Sequence, residues 1–232
     1  MVQRGKKYRK VVENLASDKA FGMNEALEFL KTNSFARFDE TTEMAFRLGV
    51  NPTKSDQAVR GSITLPHGTG KDIKVIVFAS GEAADAATAA GANEVGFMDL
   101  VEKVKGGWVD FDIAIATAEA MTEVRKLGKV LGPRGLMPNP RNGTVTDDTA
   151  TAVKQFKAGR VEFKMDKAGN VNVPFGKLSF EVDQLIENGK AVIEAVMAAK
   201  PKAVKGIYVK KCSVSSTMGP GLALENRELN VS

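Results

Sequence analysis

Hydrophobic and polar residues change their spacing twice along this chain. In the first third the spacing is helical and then becomes alternating. Lys7–Leu15 is a short basic helix candidate, and Asn24 is placed to cap a helix through Thr32 whose inner stripe is Ala26, Leu27 and Leu30. From Thr42 the period is two. Thr42, Met44, Phe46, Leu48 and Val50 fall on one face and Glu43, Ala45 and Arg47 on the other, as in a half-buried strand. Asn51-Pro52 turns the chain, and Ala58–Leu65 supplies a second strand before Pro66.

The middle of the chain follows a different pattern. Ile73–Ala79 is a near-continuous apolar run, the pattern of a strand covered on both faces. Ala83–Ala90 is an Ala-rich helix, Glu94–Phe97 a short strand and Met98–Lys105 a helix; Asp112–Thr117 is a second buried strand, followed by a helix over Ala118–Lys126. This βαβαβα alternation predicts a small parallel sheet wrapped in helices. Gly128–Thr144, rich in glycine and proline, is expected to be a long loop, and helix Asp148–Ala158 ends at Gly159, a residue suited to a left-handed C-cap.

The last third returns to alternation. Val161, Phe163 and Met165 oppose Arg160, Glu162, Lys164 and Asp166, and Val171, Val173 and Phe175 repeat the pattern after a turn at Lys167–Gly169. Asp183 opens a helix with Leu185, Ile186, Gly189, Val192, Ile193, Val196 and Met197 on one face, stopped by Pro201. Gly206–Ser215 is a final strand whose phase slips at Lys210-Lys211, the mark of a bulge. Half-polar strands at both ends with doubly covered strands between them imply an α/β fold in two domains. One is discontinuous (1–66 and 160–232), and the other is inserted (67–159), with a hinge at the two crossings. A single mixed α/β domain is the alternative.

Charge sharpens this division. The 232 residues carry 33 Lys+Arg and 28 Asp+Glu, a net charge of +5. Residues 67–159 hold 11 basic and 12 acidic residues, leaving 22 and 16 on the flanks, so the positive balance lies outside the middle segment. Such a field favours a polyanion, although an ordinary solvated basic surface has the same composition. One cysteine, Cys212, allows no intrachain disulfide and fits a reducing cytoplasm. One histidine and one cysteine cannot build a His/Cys zinc cluster within one chain, and any triad would rest on His67 alone; carboxylate or lysine chemistry stays open, so enzymes are disfavoured without being excluded, and no cofactor or metal is expected. No apolar stretch is long enough to span a bilayer, and the basic Met1–Lys10 leads into no signal-like apolar core.

The remaining motifs are ambiguous on residue chemistry alone. His67-Gly-Thr-Gly-Lys71 lacks phosphate-loop spacing and reads as a connecting loop; Ser80-Gly81-Glu82-Ala83 lacks the GxGxxG that a dinucleotide needs. Gly132-Pro133-Arg134-Gly135 is a rigid loop that either covers the sheet or meets phosphate. Ser213–Gly221 is a small-residue run after a lysine-bearing strand. Its glycines let backbone amides approach a ligand, and its hydroxyls can bond ribose 2′-OH groups; a plain turn has the same composition. Phe38 is an apolar ring among polar neighbours, either a core anchor or a stacking surface. A nucleotide-dependent enzyme on the middle segment lacks its glycine loop. A general single-strand RNA binder would need more exposed aromatics than 15 in all, most at core positions, provide.

The blocks FDET (Phe38–Thr41), SDQAVRGSITLPHGTGK (Ser55–Lys71), KLGKVLGPRGLMPNP (Lys126–Pro140), AGRVEFK (Ala158–Lys164), PFGKLSF (Pro174–Phe180) and STMGPG (Ser216–Gly221) closely resemble the bacterial ribosomal protein L-one family, in order along nearly the whole chain. The resemblance implies a discontinuous α+β RNA-binding domain with an inserted Rossmann-like parallel α/β domain. It also implies a non-catalytic structural constituent of the large ribosomal subunit, cytoplasmic, and a monomer within the ribosome. The implied partners are the rRNA of the mobile stalk, exit-site tRNA whose release it assists, and the mRNA leader of its own operon, whose translation it represses. By the same resemblance Phe38, Thr41, Thr217, Met218 and Gly219 are the principal RNA contacts, with Lys177, Arg160, Glu162 and Lys164 lining the same surface. The tail Leu222–Ser232 departs from the family pattern and is not expected on RNA.

Overall fold

The computed structural model describes residues 5–15 and 20–225, so the first residues of the basic Met1–Lys10 and the end of the Leu222–Ser232 tail lie outside the described residues. Helices α1 (Lys6–Glu13) and α2 (Met23–Thr32) come first, then strands β1 (Thr41–Leu48) and β2 (Arg60–Thr64). A second series contains β3 (Val75–Phe78), α3 (Glu82–Ala89), β4 (Glu94–Gly96), α4 (Met98–Lys105) and β5 (Ile113–Ala116), then the one-turn helices α5 (Met121–Val124) and α6 (Gly128–Leu131), and α7 (Thr149–Lys157). The chain continues through β6 (Arg160–Lys164), β7 (Asn170–Lys177), α8 (Val182–Ala198), β8 (Val209–Ser216) and β9 (Leu222–Ala223). It forms two compact units, an outer one of Met1–Gly70 with Val161–Ser232 and an inserted one of Lys71–Arg160. The architecture is thus a discontinuous α/β one with both antiparallel and parallel sheets.

The unit boundary falls after Gly70, and a buried amide explains why. Asn188 of α8, without solvent exposure, accepts from the His67 N–H (3.0 Å) and donates to the carbonyls of Gly68 (3.1 Å) and Phe175 (2.8 Å). All three bonds lie in the outer unit and hold the His67-Gly68 turn there. At the other crossing Arg160 belongs to the inserted unit, which carries 12 basic and 12 acidic residues; the outer unit retains 21 and 16, a net +5.

The outer unit is built on a four-stranded sheet in the order β7-β1-β8-β9, with β1 antiparallel to both neighbours. Thr42, Met44, Phe46 and Leu48 point inward and are buried, joined by Val171, Val173 and Phe175 of β7 and Cys212 and Val214 of β8, against α2 and α8. Arg47 pairs with Lys211 while Leu48 pairs with Val209, so Lys210 is the extra residue of a bulge. β2 and β6 form a separate two-stranded sheet.

Two helix starts depart from the sequence expectations, and the tail adds a strand that the sequence pattern does not mark. First, α2 is capped by Gly22, and Asn24 sits inside the first turn with its side chain 3.3 Å from Glu28 Oε1. Met23 is buried, and it meets α8 at Gly189, where a Cβ would stand 3.2 Å from Met23 Cε. Burial of that methionine fixes where the helix starts. Second, α8 opens through a capping box between Glu181 and Gln184, with Asp183 in its first turn. The tail begins as an edge strand. Leu222 pairs with Val214, Leu224 bridges Phe21, and both leucines are buried.

In the inserted unit a parallel sheet in the order β4-β3-β5 is covered on both faces. Ile76, Phe78, Ala114 and Ala116 pack with Leu100, Val104, Val124, Leu127 and Leu131; Val75, Val77 and Ile115 pack on the other side with Ala87, Val153 and Phe156. Alternate residues therefore enter two cores, and the strand reads as a continuous apolar run. Gly128–Thr144 is not loop throughout. Its first turn is α6, because Leu127 and Leu131, four residues apart, are both buried. α7 ends before Gly159, whose φ of +101° is a left-handed conformation that favours glycine. Among the described residues no helix is long and apolar enough to cross a membrane.

Candidate nucleic-acid interface

The segment Phe38–Thr41 runs into β1 from outside the sheet, and its last three residues are each fastened to a distant part of the outer unit. Asp39 accepts from Ser179, the backbone N–H at 3.1 Å and the hydroxyl at 2.7 Å. Glu40 accepts from the Met218 N–H at 2.9 Å through Oε2 and from the Ser34 hydroxyl at 2.8 Å through Oε1. Thr41 donates its N–H to Thr217 Oγ1 at 3.0 Å, while the Thr217 N–H donates to the Thr41 carbonyl at 3.1 Å. Lys177, at the end of β7, donates to Thr41 Oγ1 (2.8 Å) and to the Asp39 carbonyl (3.2 Å).

Glu40 is almost wholly enclosed, with 1% of its surface exposed. Burial by itself raises a carboxyl pKa. Hydrogen bonds from the Met218 N–H, the Ser216 and Ser34 hydroxyls and the Ala36 N–H outweigh it, so Glu40 is held below its ordinary value of 4.5. A fixed negative charge therefore sits under the 217–219 loop. The loop leans on it twice, directly through Met218 and indirectly through Gly219, whose N–H donates to Ser216 Oγ at 3.1 Å. A Cβ at Gly219 would collide with that oxygen, so the close approach requires glycine.

This frame brings together Phe38, Thr41, Lys177, Thr217, Met218 and Gly219. It presents two apolar side chains outward: Phe38 is 55% exposed and Met218 48% exposed, on a unit that buries most of its large apolar residues. The open side of Phe38 answers the core-anchor alternative, since a core ring is enclosed. Beside the loop is a groove of about 770 Å³, with Lys6, Lys7 and Tyr8 of α1, Glu43 and Ser215 among its lining residues. Glu162 and Lys164 are exposed on β6, on the β2–β6 pair and not on the four-stranded sheet. Arg160 lies in the inserted unit, donating to Gln155 Oε1 (2.7 Å) and the Asn142 carbonyl (3.1 Å), with its guanidinium 5.2 Å from the Phe156 ring centre.

The sequence lets the glycines of this run bring backbone amides close to a ligand; in the structure the three N–H groups of residues 217–219 are used within the fold, Thr217 by the Thr41 carbonyl, Met218 by Glu40 and Gly219 by Ser216. Among the described residues no hydrogen bond reaches the carbonyl oxygens of residues 217–219, which leaves them unused as acceptors within the fold. Glu40, Asp39 and Ser216, which build the frame, were not singled out from the sequence. The available signal was a pair of acidic residues inside FDET, between an exposed ring and a strand. Among the described residues no group of three or more His, Cys, Asp or Glu is placed to hold a metal ion.

The family comparison covers this frame and most of the rest of the chain. The family model described as "Ribosomal protein L1p/L10e family" matches residues 30–220, from the end of α2 to just past the 217–219 loop, and the chain belongs to that family.

Proposed function

We propose that the outer unit binds folded RNA through the Phe38–Thr41 and Thr217–Gly219 frame, without chemical transformation of the RNA. The observation that carries this reading is the exposure of Phe38 and Met218 on segments immobilised by Glu40 and Thr41. Two apolar side chains held rigidly at the surface suit the faces of sugars and bases, at little ordering cost on binding. The acceptor character of the loop favours ribose 2′-OH donors over phosphates, which only accept. Lys177 and the +5 balance of the outer unit add counterion release, and exposed Lys164 beside Glu162 extends the same reading along β6. Arg160 is engaged by Gln155 and Asn142, and the proposal does not require it.

Membership of a ribosomal protein family supports a general role in binding rRNA. The finer reading is a bacterial-type protein of the large-subunit stalk. It binds the stalk rRNA, assists release of exit-site tRNA, and represses its own operon through an mRNA leader that mimics the rRNA site. The protein acts in the cytoplasm as a single copy within the ribosome. The inserted unit, with its parallel sheet, is read as Rossmann-like in shape but without nucleotide chemistry, since no glycine-rich phosphate loop follows β3.

The test is a binding titration with an isolated stalk rRNA fragment and with the same fragment carrying 2′-deoxy sugars. RNA should bind tightly, and the deoxy fragment at least ten-fold more weakly. Equal affinity for the two would remove the 2′-OH argument, and absence of binding to the RNA would remove the proposal.

A further inference from the structure

We propose that the open face of the four-stranded sheet carries a second RNA contact, a phosphate seat formed by Arg47 and Lys211 at the far end of β1 from Thr41. This rests on the outer unit being an RNA binder and extends its footprint. Thr41, Glu43, Ala45 and Arg47 occupy successive positions on the outward row of β1, so Arg47 stands six residues from the Thr217 junction, about 20 Å along the strand. Arg47 and Lys211 are direct cross-strand partners, and both are exposed.

Like charges placed directly opposite each other on a sheet destabilise it. Among the described residues neither cation has an ion-pair partner. Lys210, the extra residue of the bulge, is a third exposed cation next to Lys211, and the cross-strand neighbours of the pair are neutral. Asn170 is the partner of Arg47 on the other side, and Ala45 lies between Asn172 and Ser213. Together these residues line a shallow hollow of about 290 Å³. Asp166, in the turn before β7, is occupied by the Ala168 and Asn170 amides and the Asn170 side chain. Two facing cations flanked by amide and hydroxyl donors make a site for one phosphodiester, whose charge would relieve their mutual repulsion. The row between the two sites contains one acid, Glu43, and otherwise small or neutral side chains with Ser213 and Ser215, so an RNA strand leaving the 217–219 loop has an open path to the seat.

The experiment uses the full chain, the stalk rRNA fragment and a salt titration. Arg47→Gln with Lys211→Gln should bind roughly ten- to a hundred-fold more weakly at low salt, and the slope of log K against log[salt] should fall by about 1, the contribution of one phosphate. Its melting temperature should equal or exceed that of the unaltered chain, because the repulsion is gone. Arg47→Lys should keep the slope, and Met218→Ala should lose affinity with the slope unchanged. Unaltered affinity and slope in the double variant would overturn the phosphate seat while leaving RNA binding intact, as would loss of slope in Arg47→Lys. Failure of the unaltered chain to bind the fragment would instead overturn the underlying RNA-binding reading.

Discussion

The carboxylate of Glu40 accepts the backbone N–H of Met218 at 2.9 Å, joining residues 178 positions apart and setting the loop that displays Met218. Its other oxygen accepts from Ser34, so both are committed. Glu40→Gln is nearly isosteric but removes the charge and replaces one acceptor with a donor; the Ser34 hydroxyl can turn to accept from that NH2, while the Met218 N–H, Ser216 and Ala36 N–H donors lose their charged acceptor. Hydrogen bonds to charged groups contribute about 1.5–3 kcal/mol, and denaturant unfolding should show a loss of that order. RNA affinity should fall as well, since the displaced loop carries Met218 and Gly219. An unchanged unfolding midpoint would show that Glu40 does not hold the loop.

The same carboxylate gives the outer unit a defined response to acid. Its folded pKa lies below the ordinary 4.5, so the unfolded chain takes up the proton first as pH falls. The stabilisation is fully present above about pH 4.5 and is lost as pH drops through the lower folded value. Stability measured from pH 6 to pH 3 should therefore fall more steeply in the unaltered chain than in Glu40→Gln. The two curves should converge at the acid end, whereas parallel curves would mean that the Glu40 bonds contribute nothing.

Thr217→Val probes the junction between β1 and β8. The hydroxyl accepts the Thr41 N–H at 3.0 Å and lies 3.3 Å from the Thr41 carbonyl, so it is first of all a structural group. Valine keeps the shape and leaves that N–H to water at a partly exposed site, which costs about 1 kcal/mol. RNA affinity should fall with stability, and Thr217→Ser should restore both. Loss of affinity in valine with an unmoved melting temperature would return the hydroxyl to a purely RNA-facing role.

Which features were legible in the sequence follows from how local their causes are. The inward row Thr42, Met44, Phe46, Leu48 could be read because a strand with one covered face must alternate, and the strands of the inserted unit because two covered faces make a continuous apolar run. The start of α2 was misread because Asn24 has the chemistry of a cap, whereas the contact of Met23 with Gly189 of α8 decides the matter across more than 160 residues. α6 was hidden by Gly128 and Gly132, each of which directly follows one of the buried leucines Leu127 and Leu131, and β9, two residues long, exists only through its pairing with β8. At the candidate interface the displayed residues stood out by type. The residues that hold them, Glu40 and Ser216, did not, because a buried carboxylate is justified only by partners far away in the chain.

Asn188 makes a stability prediction that is separate from RNA. Its amide ties the His67-Gly68 turn to β7 through three bonds, one accepted and two donated, and none of its surface is exposed. Asn188→Leu fills the space but leaves the Phe175 carbonyl buried without that donor. The expected loss is on the order of 3 kcal/mol, with RNA affinity unchanged while the protein remains folded. A loss well under 1 kcal/mol would mean that the turn finds other partners.

Excision of the inserted unit tests whether the two ends of the chain are sufficient for binding. The core of the outer unit, from Phe21 to Leu224, draws its buried side chains entirely from residues 1–70 and 161–232. The bonds of Asn188 close the first crossing from within the same unit. Replacing Lys71–Arg160 by a short flexible linker removes 12 basic and 12 acidic residues, so the net charge of +5 that attracts RNA is unchanged. The shortened chain should unfold cooperatively and bind the stalk rRNA fragment within about ten-fold of the full chain, less than 1.4 kcal/mol in binding free energy. A folded product with affinity reduced a thousand-fold would place the principal contacts in the inserted unit and reverse the assignment of the Phe38–Met218 frame. A product that does not fold would show that the outer core depends on the segment it encloses, against the independence that its composition indicates.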